Sequence, residues 1–208
     1  SYGSGQAEIA RLLANQRVDY LAVAYADEGA DLRRQGIRLP IMVMNPEPET
    51  FDQLKQYQLE PEIYSIEILK AFIQSIGKDD ASIHIKIDTG MHCLGFVEYD
   101  IPELLVLLKS HQHIRVASIF SHLAGADENK HDNFSEHQIT LFNKIASSIQ
   151  TTLGYQPLRH ILNSSGISRM PHAQFDMVRL GIGLYGVDPS AVLQNTLLPV
   201  GTLQTNIA

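Results

Sequence analysis

The sequence predicts an α/β protein on a parallel sheet, in the form of a (β/α)8 barrel that lacks its first strand. Three observations predict it. Short apolar runs of strand character alternate along the whole chain with longer runs of helical period. The series holds seven strand-like runs and opens on a helix, whereas a complete barrel of this class takes about 250 residues against the 208 present. No G-x-G-x-x-G follows an early strand, which counts against the competing doubly wound dinucleotide fold.

In order, a helical pattern over Gln6–Asn15 leads to a buried-strand pattern over Val18–Ala24 (VDYLAVA). A helix over Asp27–Gln35 leads to the strand Ile41–Met44 (IMVM), and a helix over Pro48–Gln56 leads to a weaker strand over Glu62–Ser65. The helix Ile66–Ile76 is followed by Ile83–Ile87 (IHIKI), where apolar and polar residues alternate. Pro102 suits the first turn of a helix over Ile101–His111, and Val116–His122 (VASIFSH) is the next strand. The helix Phe134–Leu153 carries Ile139, Phe142, Ile145 and Ile149 three or four positions apart, one face of a helix. His160–Asn163 and Met177–Leu180 are the last two predicted strands.

The composition removes several classes of function. With 44% hydrophobic residues the chain can bury one domain's core. Cys93 is its one cysteine, so no internal disulfide forms, which fits a reducing, cytoplasmic setting. A formal net charge of -7 argues against a nucleic-acid partner, which needs a basic face. No apolar run reaches the roughly 18 residues of a membrane span. The ends predict a fragment. Ser1-Tyr2-Gly3-Ser4-Gly5 has no initiator Met, and residues 200–208 read as a strand that is starting. The expectation is a barrel over residues 1–199, incomplete at its N-terminus, with 200–208 as the first strand of a further β-domain. A barrel open at two strand edges is expected to be poorly soluble alone.

Barrel chemistry gathers just past the C-terminal ends of strands. Here those places hold Asn45, Ser65, Lys86 with Asp88-Thr89-Gly90-Met91-His92, Ser121-His122, Asn163-Ser164-Ser165-Gly166, and Arg179 with Gly181-Ile182-Gly183. Small residues after the last two strands let backbone amides approach an anion, the usual place for a phosphate in barrels, although tight turns use the same residues. Arg179 sits in an apolar stretch, which is costly unless it meets a ligand or an acid such as Asp176. Alternation puts Lys86 on one face with His84 and Asp88, either inside the sheet or at its surface. A lone Asp88-Thr89-Gly90 cannot make an aspartic-protease dyad, which needs two such carboxylates. The nine histidines show no metal spacing such as H-E-x-x-H, so no metal is expected. No G-x-S-x-G elbow marks a serine hydrolase. His122, at a strand end, is the best titratable candidate.

Taken together, Lys86-Ile-Asp-Thr-Gly-Met-His-Cys-Leu-Gly-Phe96, Phe120-Ser-His-Leu-Ala-Gly-Ala-Asp-Glu128, Asn163-Ser164 and Phe175-Asp-Met-Val-Arg-Leu-Gly-Ile-Gly-Leu-Tyr-Gly186 resemble the alanine racemases, fold-type-III pyridoxal-phosphate enzymes. The resemblance covers essentially the whole chain, and the last stretch is the most specific. It implies a homodimer acting on a small amino acid, with pyridoxal 5′-phosphate as cofactor, supplying D-alanine for bacterial peptidoglycan. It implies that Tyr2, Ser164 and the backbone of Gly181 and Ile182 hold the cofactor phosphate, with Asn163 beside them. Arg179 is then the group that hydrogen-bonds the pyridine nitrogen, and His122 braces it beside the ring. Lys86 corresponds to a lysine that is often carbamylated in the family and steadies a neighbouring arginine.

Two departures accompany the resemblance. The arginine that normally follows Met-Gly or Met-His is Cys93, which cannot act as a bidentate cation, so Lys86 has no matching arginine to brace. The family's cofactor-bearing lysine would precede Ser1, and its opposing catalytic tyrosine lies in the C-terminal β-domain. No catalytic base is therefore expected within these residues, and the isolated chain is expected to be inactive. The readings beside alanine racemization are a racemase for another amino acid, such as serine, and a non-catalytic pyridoxal-phosphate-binding protein.

Overall fold

The computed structural model describes residues 2–202. Among the described residues six strands form, in the order β1-β2-β3-β4-β5-β6. They are β1 (Leu21–Val23), β2 (Ile41–Val43), β3 (Glu60–Ile63), β4 (Ala81–Lys86), β5 (Ile114–Phe120) and β6 (Leu158–His160). The helices are α1 (Gln6–Asn15), α2 (Ala26–Arg34), α3 (Phe51–Gln56), α4 (Ile66–Ile76), α5 (Ile101–Ser110), α6 (Asp132–Leu153) and α7 (Ser164–Arg169). None of the described helices is long and apolar enough to cross a membrane. The chain packs as two compact units, Ser1–Lys86 with Glu98–Ser118, and Ile87–Val97 with Ile119–Ala208.

In the first unit the ladder is parallel, with Leu21 opposite Ile41, Val43 opposite Pro61 and Ile63 opposite Ile85. Parallel strands need crossovers, and α2, α3 and α4 supply them. Ile83 and Ile85 of β4 are fully buried, as are Ile41 and Val43 of β2. The helices bury their predicted stripes. α4 covers Ile66, Leu69, Phe72 and Ile76 and starts where the Ser65 hydroxyl accepts from the Ile68 amide at 3.2 Å, an N-cap. α2 is started by Glu28, whose carboxylate reaches back to the Ala24 and Tyr25 amides at 2.7 and 3.3 Å.

In the second unit α6 buries Ile139, Phe142, Ile145 and Ile149, the stripe its spacing predicts, and stops at Gly154 in the left-handed conformation, a residue type that adopts it without a Cβ penalty. The end of β5 and the exit of β6 are joined by the Ser121 amide on the His160 carbonyl at 3.2 Å.

The structure corrects one predicted strand. Met177–Leu180 is not a strand. The Asp176 and Met177 amides both turn to one carbonyl, that of Arg159, and the Arg179 amide then goes to Leu162 at 3.0 Å. Two successive donors on one acceptor break the alternation a ladder requires. The segment still runs beside β6, so it delivers Arg179 where a strand would have. α7, absent from the sequence reading, is too short and polar for its period to register. Of the strand expected over residues 200–208, residues 203–208 lie outside the described residues.

Candidate active site

Arg179 is the organising residue of the second unit. Its Nη2 donates to the Ser121 carbonyl at 2.6 Å, to the Ile161 carbonyl at 3.2 Å and to His122 Nδ1 at 3.2 Å. Its Nη1 donates to His160 Nδ1 at 2.8 Å. A guanidinium can only donate, so both imidazoles must face it with an unprotonated Nδ1. A neutral His122 and a neutral His160 then carry their proton on Nε2. The guanidinium also lies 5.2 Å over the Phe120 ring, and His160 stacks on that same ring with centroids 4.9 Å apart. The fork is thus fixed in plane by two imidazoles, an aromatic face and strand-end carbonyls. The alternative partner, Asp176, accepts instead from Arg159, at 2.9 Å from its amide and 3.2 Å from its Nε.

A second cluster follows directly. The Ser164 hydroxyl oxygen accepts from the amides of Gly181 and Gly183, at 3.0 and 3.2 Å. Ile182 opens the single 3-10 turn between them. A Cβ on Gly183 would stand 2.8 Å from Leu180 Cδ1 and 3.4 Å from Ser164 Oγ, so a side chain there would crowd the space these donors share. Asn163 caps α7, its carboxamide oxygen accepting from the Gly166 amide at 2.9 Å, which fixes Ser164 as the first helical residue. Convergent amides with a hydroxyl suit a phosphoryl oxygen, and an always-charged planar fork suits an aromatic nitrogen acceptor. The two halves of pyridoxal 5′-phosphate that this unit would have to hold therefore each meet donors of the right kind.

The loop after β4 is built around Asp88. Burial pushes its carboxyl up, but hydrogen bonds from the Gly90 and His92 amides at 2.8 and 3.1 Å, with the His92 imidazole at 3.3 Å, outweigh burial and hold it below the ordinary aspartate range. The loop returns through Gly95, where a Cβ would meet the Asp88 nitrogen at 2.5 Å, and Phe96, whose carbonyl accepts from that nitrogen at 2.9 Å. Cys93 is exposed on this loop as a free thiol. Gln138 of α6, which the sequence reading missed, ties the loop to the end of β5. It is fully buried and donates to Thr89 Oγ1 at 3.3 Å and the His122 carbonyl at 3.0 Å, while accepting from the Ala124 amide at 3.1 Å. The one signal for it was a glutamine beside the apolar stripe of a long helix.

The remaining predicted residues belong to the first unit. Tyr2 is largely exposed and has a left-handed φ of 50°. Lys86 is directed inward, and its Nζ lies 3.0 Å from Oε1 of the fully buried Glu62. On the same face of β4, His84 Nδ1 meets Ser118 Oγ at 2.7 Å and its Nε2 meets Glu60 at 2.9 Å; Tyr20 also donates to Glu60, at 3.1 Å. Burial, with the charge and hydrogen bond of Glu60, pushes the Tyr20 hydroxyl well above its ordinary value. Ser118, His84 and Glu60 form a hydroxyl–imidazole–carboxylate chain, but with the ring nitrogens exchanged relative to a hydrolase triad, and Ser118 and His84 are wholly buried and out of a substrate's reach.

Parallel α/β architecture, with polar residues at the strand ends and a guanidinium clamp beside a small-residue amide cluster, defines a protein of the (β/α) barrel class. Comparison with known proteins gives the family: residues 1–189 match the model of the alanine racemase N-terminal domain, and the chain belongs to that family. It is 35% identical to the alanine racemase of Clostridium novyi over all of this chain and 55% of that protein. It is 36% identical to that of Syntrophobacter fumaroxidans, over all of this chain and 56% of that protein. Among solved structures, the alanine racemase of Clostridium difficile in complex with cycloserine superposes with a TM-score of 0.86 at 32% identity, over 95% of this chain and 56% of that one. That of Bacillus anthracis with bound L-Ala-P gives 0.83 at 28%, over 94% and 51%. The fold is the barrel portion of these enzymes. The chain spans about half the length of the relatives it matches.

Proposed function

We propose that this chain is the pyridoxal 5′-phosphate-binding part of an alanine racemase, an isomerase interconverting L- and D-alanine. The clamp on Arg179 carries the reading. When bound, the cofactor supplies an electron sink that acidifies Cα of an attached amino acid. Every other part is taken by protein groups. Arg179 would hold the pyridine nitrogen as a donor that does not give up its own proton. His122 holds Arg179 in plane. Ser164, the amides of Gly181 and Ile182, and Tyr2 hold the phosphate, with Asn163 fixing Ser164. The two bases on opposite faces of Cα are assigned to the half of the relatives' length that this chain does not span. A cytoplasmic homodimer that provides D-alanine for peptidoglycan completes the proposal.

Cys93 favours a second reading, because a thiol stands where the family resemblance implies a substrate-binding cation. The test is exchange of the α-proton of L-alanine in heavy water, using the full-length protein loaded with pyridoxal phosphate. Exchange with formation of D-alanine is expected. Exchange of serine but not alanine would reassign the substrate. A cofactor-loaded protein that exchanges neither is the non-catalytic binder, and a Cys93→Arg variant that gains exchange would locate the defect.

A further inference from the structure

We propose that Gln138 and Thr89 are positioning residues for Arg179, fixing its guanidinium through a buried hydrogen-bonded chain that ties the loop after β4 to the end of β5. Each link is a direct contact. Arg179 Nη2 donates to the Ser121 carbonyl at 2.6 Å and to His122 Nδ1 at 3.2 Å. Ser121 Oγ meets Thr89 Oγ1 at 2.8 Å. Gln138 Nε2 donates to Thr89 Oγ1 at 3.3 Å and to the His122 carbonyl at 3.0 Å, and its Oε1 accepts from the Ala124 amide at 3.1 Å. Gln138 is fully buried, and Thr89 and Ser121 are 3% and 2% exposed, so water does not compete for these groups.

A carboxamide has two N–H donors and one carbonyl oxygen, and Gln138 uses all three on the segments that hold the acceptors of Arg179. A carboxylate or a thioether of similar size cannot replace it, since neither donates twice. The Ser121 carbonyl serves Arg179, and the next carbonyl, that of His122, serves Gln138. Two consecutive peptide planes are thus set by two side chains from different elements. Thr89 accepts from Gln138, which leaves its own proton for Ser121 Oγ, so Ser121 is held by its side chain as well as by its carbonyl. The loop that carries Thr89 rests on α6, because a Cβ on Gly90 would stand 2.9 Å from Phe134 Cζ. A fork aimed in this way before a ligand arrives removes an ordering cost from binding. Without Gln138 or the Thr89 hydroxyl, the acceptors on Ser121 and His122 can turn. The Nη2 side of the fork then loosens, while the Nη1 contact with His160 at 2.8 Å stays.

The coupling is tested first without any ligand. Full-length protein labelled with 15N-arginine is examined by NMR, with Arg179→Lys to assign the signals, alongside Thr89→Val, Thr89→Ser and Gln138→Met. The Arg179 Nη2 protons are expected to exchange with solvent about tenfold faster in Thr89→Val and Gln138→Met, as for an opening made easier by about one hydrogen bond. Thr89→Ser, which keeps the hydroxyl, is expected to exchange at the wild-type rate. Arg33, whose guanidinium donates to four backbone carbonyls of the first unit, is the internal control, and its rate is expected to stay constant. Unchanged Arg179 exchange in either folded variant overturns the proposal, as does equal acceleration of Arg33, which would mean general loosening. Should either variant not fold, the other decides. The consequence for the cofactor rests on the functional reading above. Affinity for pyridoxal 5′-phosphate is expected to fall about tenfold in the same two variants, for the same lost hydrogen bond, with affinity for inorganic phosphate kept. An unchanged cofactor affinity, or an equal loss for both ligands, overturns the proposal. A wild type that shows the coupling to Arg179 but binds no pyridoxal 5′-phosphate defeats the functional reading alone.

Discussion

At the residue scale, Arg179 joins the chemistry of the site to the local fold. Its Nη groups serve four strand-end carbonyl and imidazole acceptors in the 2.6–3.2 Å range. An Arg179→Gln substitution would strip donors from several acceptors at once, most of them on the buried residues Ser121, His160 and Ile161. Each acceptor left unmet costs about 1 kcal/mol or more, so a loss of roughly 2–3 kcal/mol is expected in urea unfolding, together with loss of bound cofactor. Arg179→Lys restores the charge but not the planar fork, and is expected to recover only part of each; full recovery of cofactor binding by lysine would show that charge alone suffices. Asp88 gives a pH prediction. Its carboxyl is held below the ordinary range, so the folded state binds fewer protons than the unfolded one as pH falls towards it. That stability is fully present above the unfolded aspartate value, about 3.9, and is lost as pH drops through the lower folded value. Asp188 behaves alike: burial raises its carboxyl, and hydrogen bonds from Leu193 and Ser190 outweigh that. Acid destabilisation followed by near-ultraviolet circular dichroism should therefore set in as pH falls below the unfolded aspartate value, about 3.9, and continue through the lower folded value, and Asp88→Asn should flatten it. An unchanged acid limb in that variant would count against the loop's dependence on Asp88.

At the element scale, periodicity was enough wherever an element buries one face. α1 and α4 have their predicted bounds, and α6 buries its predicted isoleucines, because a 3.6-residue apolar repeat has few other uses. It failed at Met177–Leu180, where apolar residues flank an arginine that the backbone bends to place. The apolar run there is not buried, Leu180 being 48% exposed, and no pattern could show that two amides share one carbonyl. The site was legible in the same uneven way. Strand-end positions marked Lys86, His122, Ser164 and Arg179, but Glu62, His160 and Gln138 take their meaning from strand register and helix docking, which no local window holds. The β4 loop offers a test at this scale. Gly95 has a φ of 134°, and its missing Cβ leaves room for the Asp88 nitrogen at 2.5 Å. A Gly95→Ala substitution meets backbone on one side and a conformation unfavourable to side chains on the other. A cost of roughly 2 kcal/mol or more is expected in thermal or urea unfolding. Ser65→Ala, which removes the α4 cap and the Ser65 hydrogen bond with Glu67, should cost about 1 kcal/mol. A smaller loss at Gly95 than at Ser65 would mean the loop after β4 can relax away from the β4 exit.

At the scale of the whole molecule, the distribution of charge separates structure from function. The chain carries a net -7, yet the two clusters that would meet an anionic cofactor rely on a fixed guanidinium and on neutral amides and hydroxyls. Affinity for a phosphate therefore does not need an overall positive field, only local donors whose geometry is set in advance. The consequence is measurable as linkage. A ligand that binds only the native state stabilises it by RT ln(1 + [L]/Kd), about 2.7 kcal/mol at a hundredfold excess over Kd. Pyridoxal 5′-phosphate added to the full-length protein should raise its melting temperature in a concentration-dependent way, and inorganic phosphate should do so more weakly, by using the Ser164–Gly181 cluster alone. Arg179→Gln should reduce the response to the cofactor and leave the response to phosphate, whereas a Gly183→Val substitution, crowding Ser164, should reduce both. If Arg179→Gln abolishes the phosphate response as well, the two clusters are one cooperative unit, and the assignment of ring nitrogen and phosphate to separate groups of residues fails.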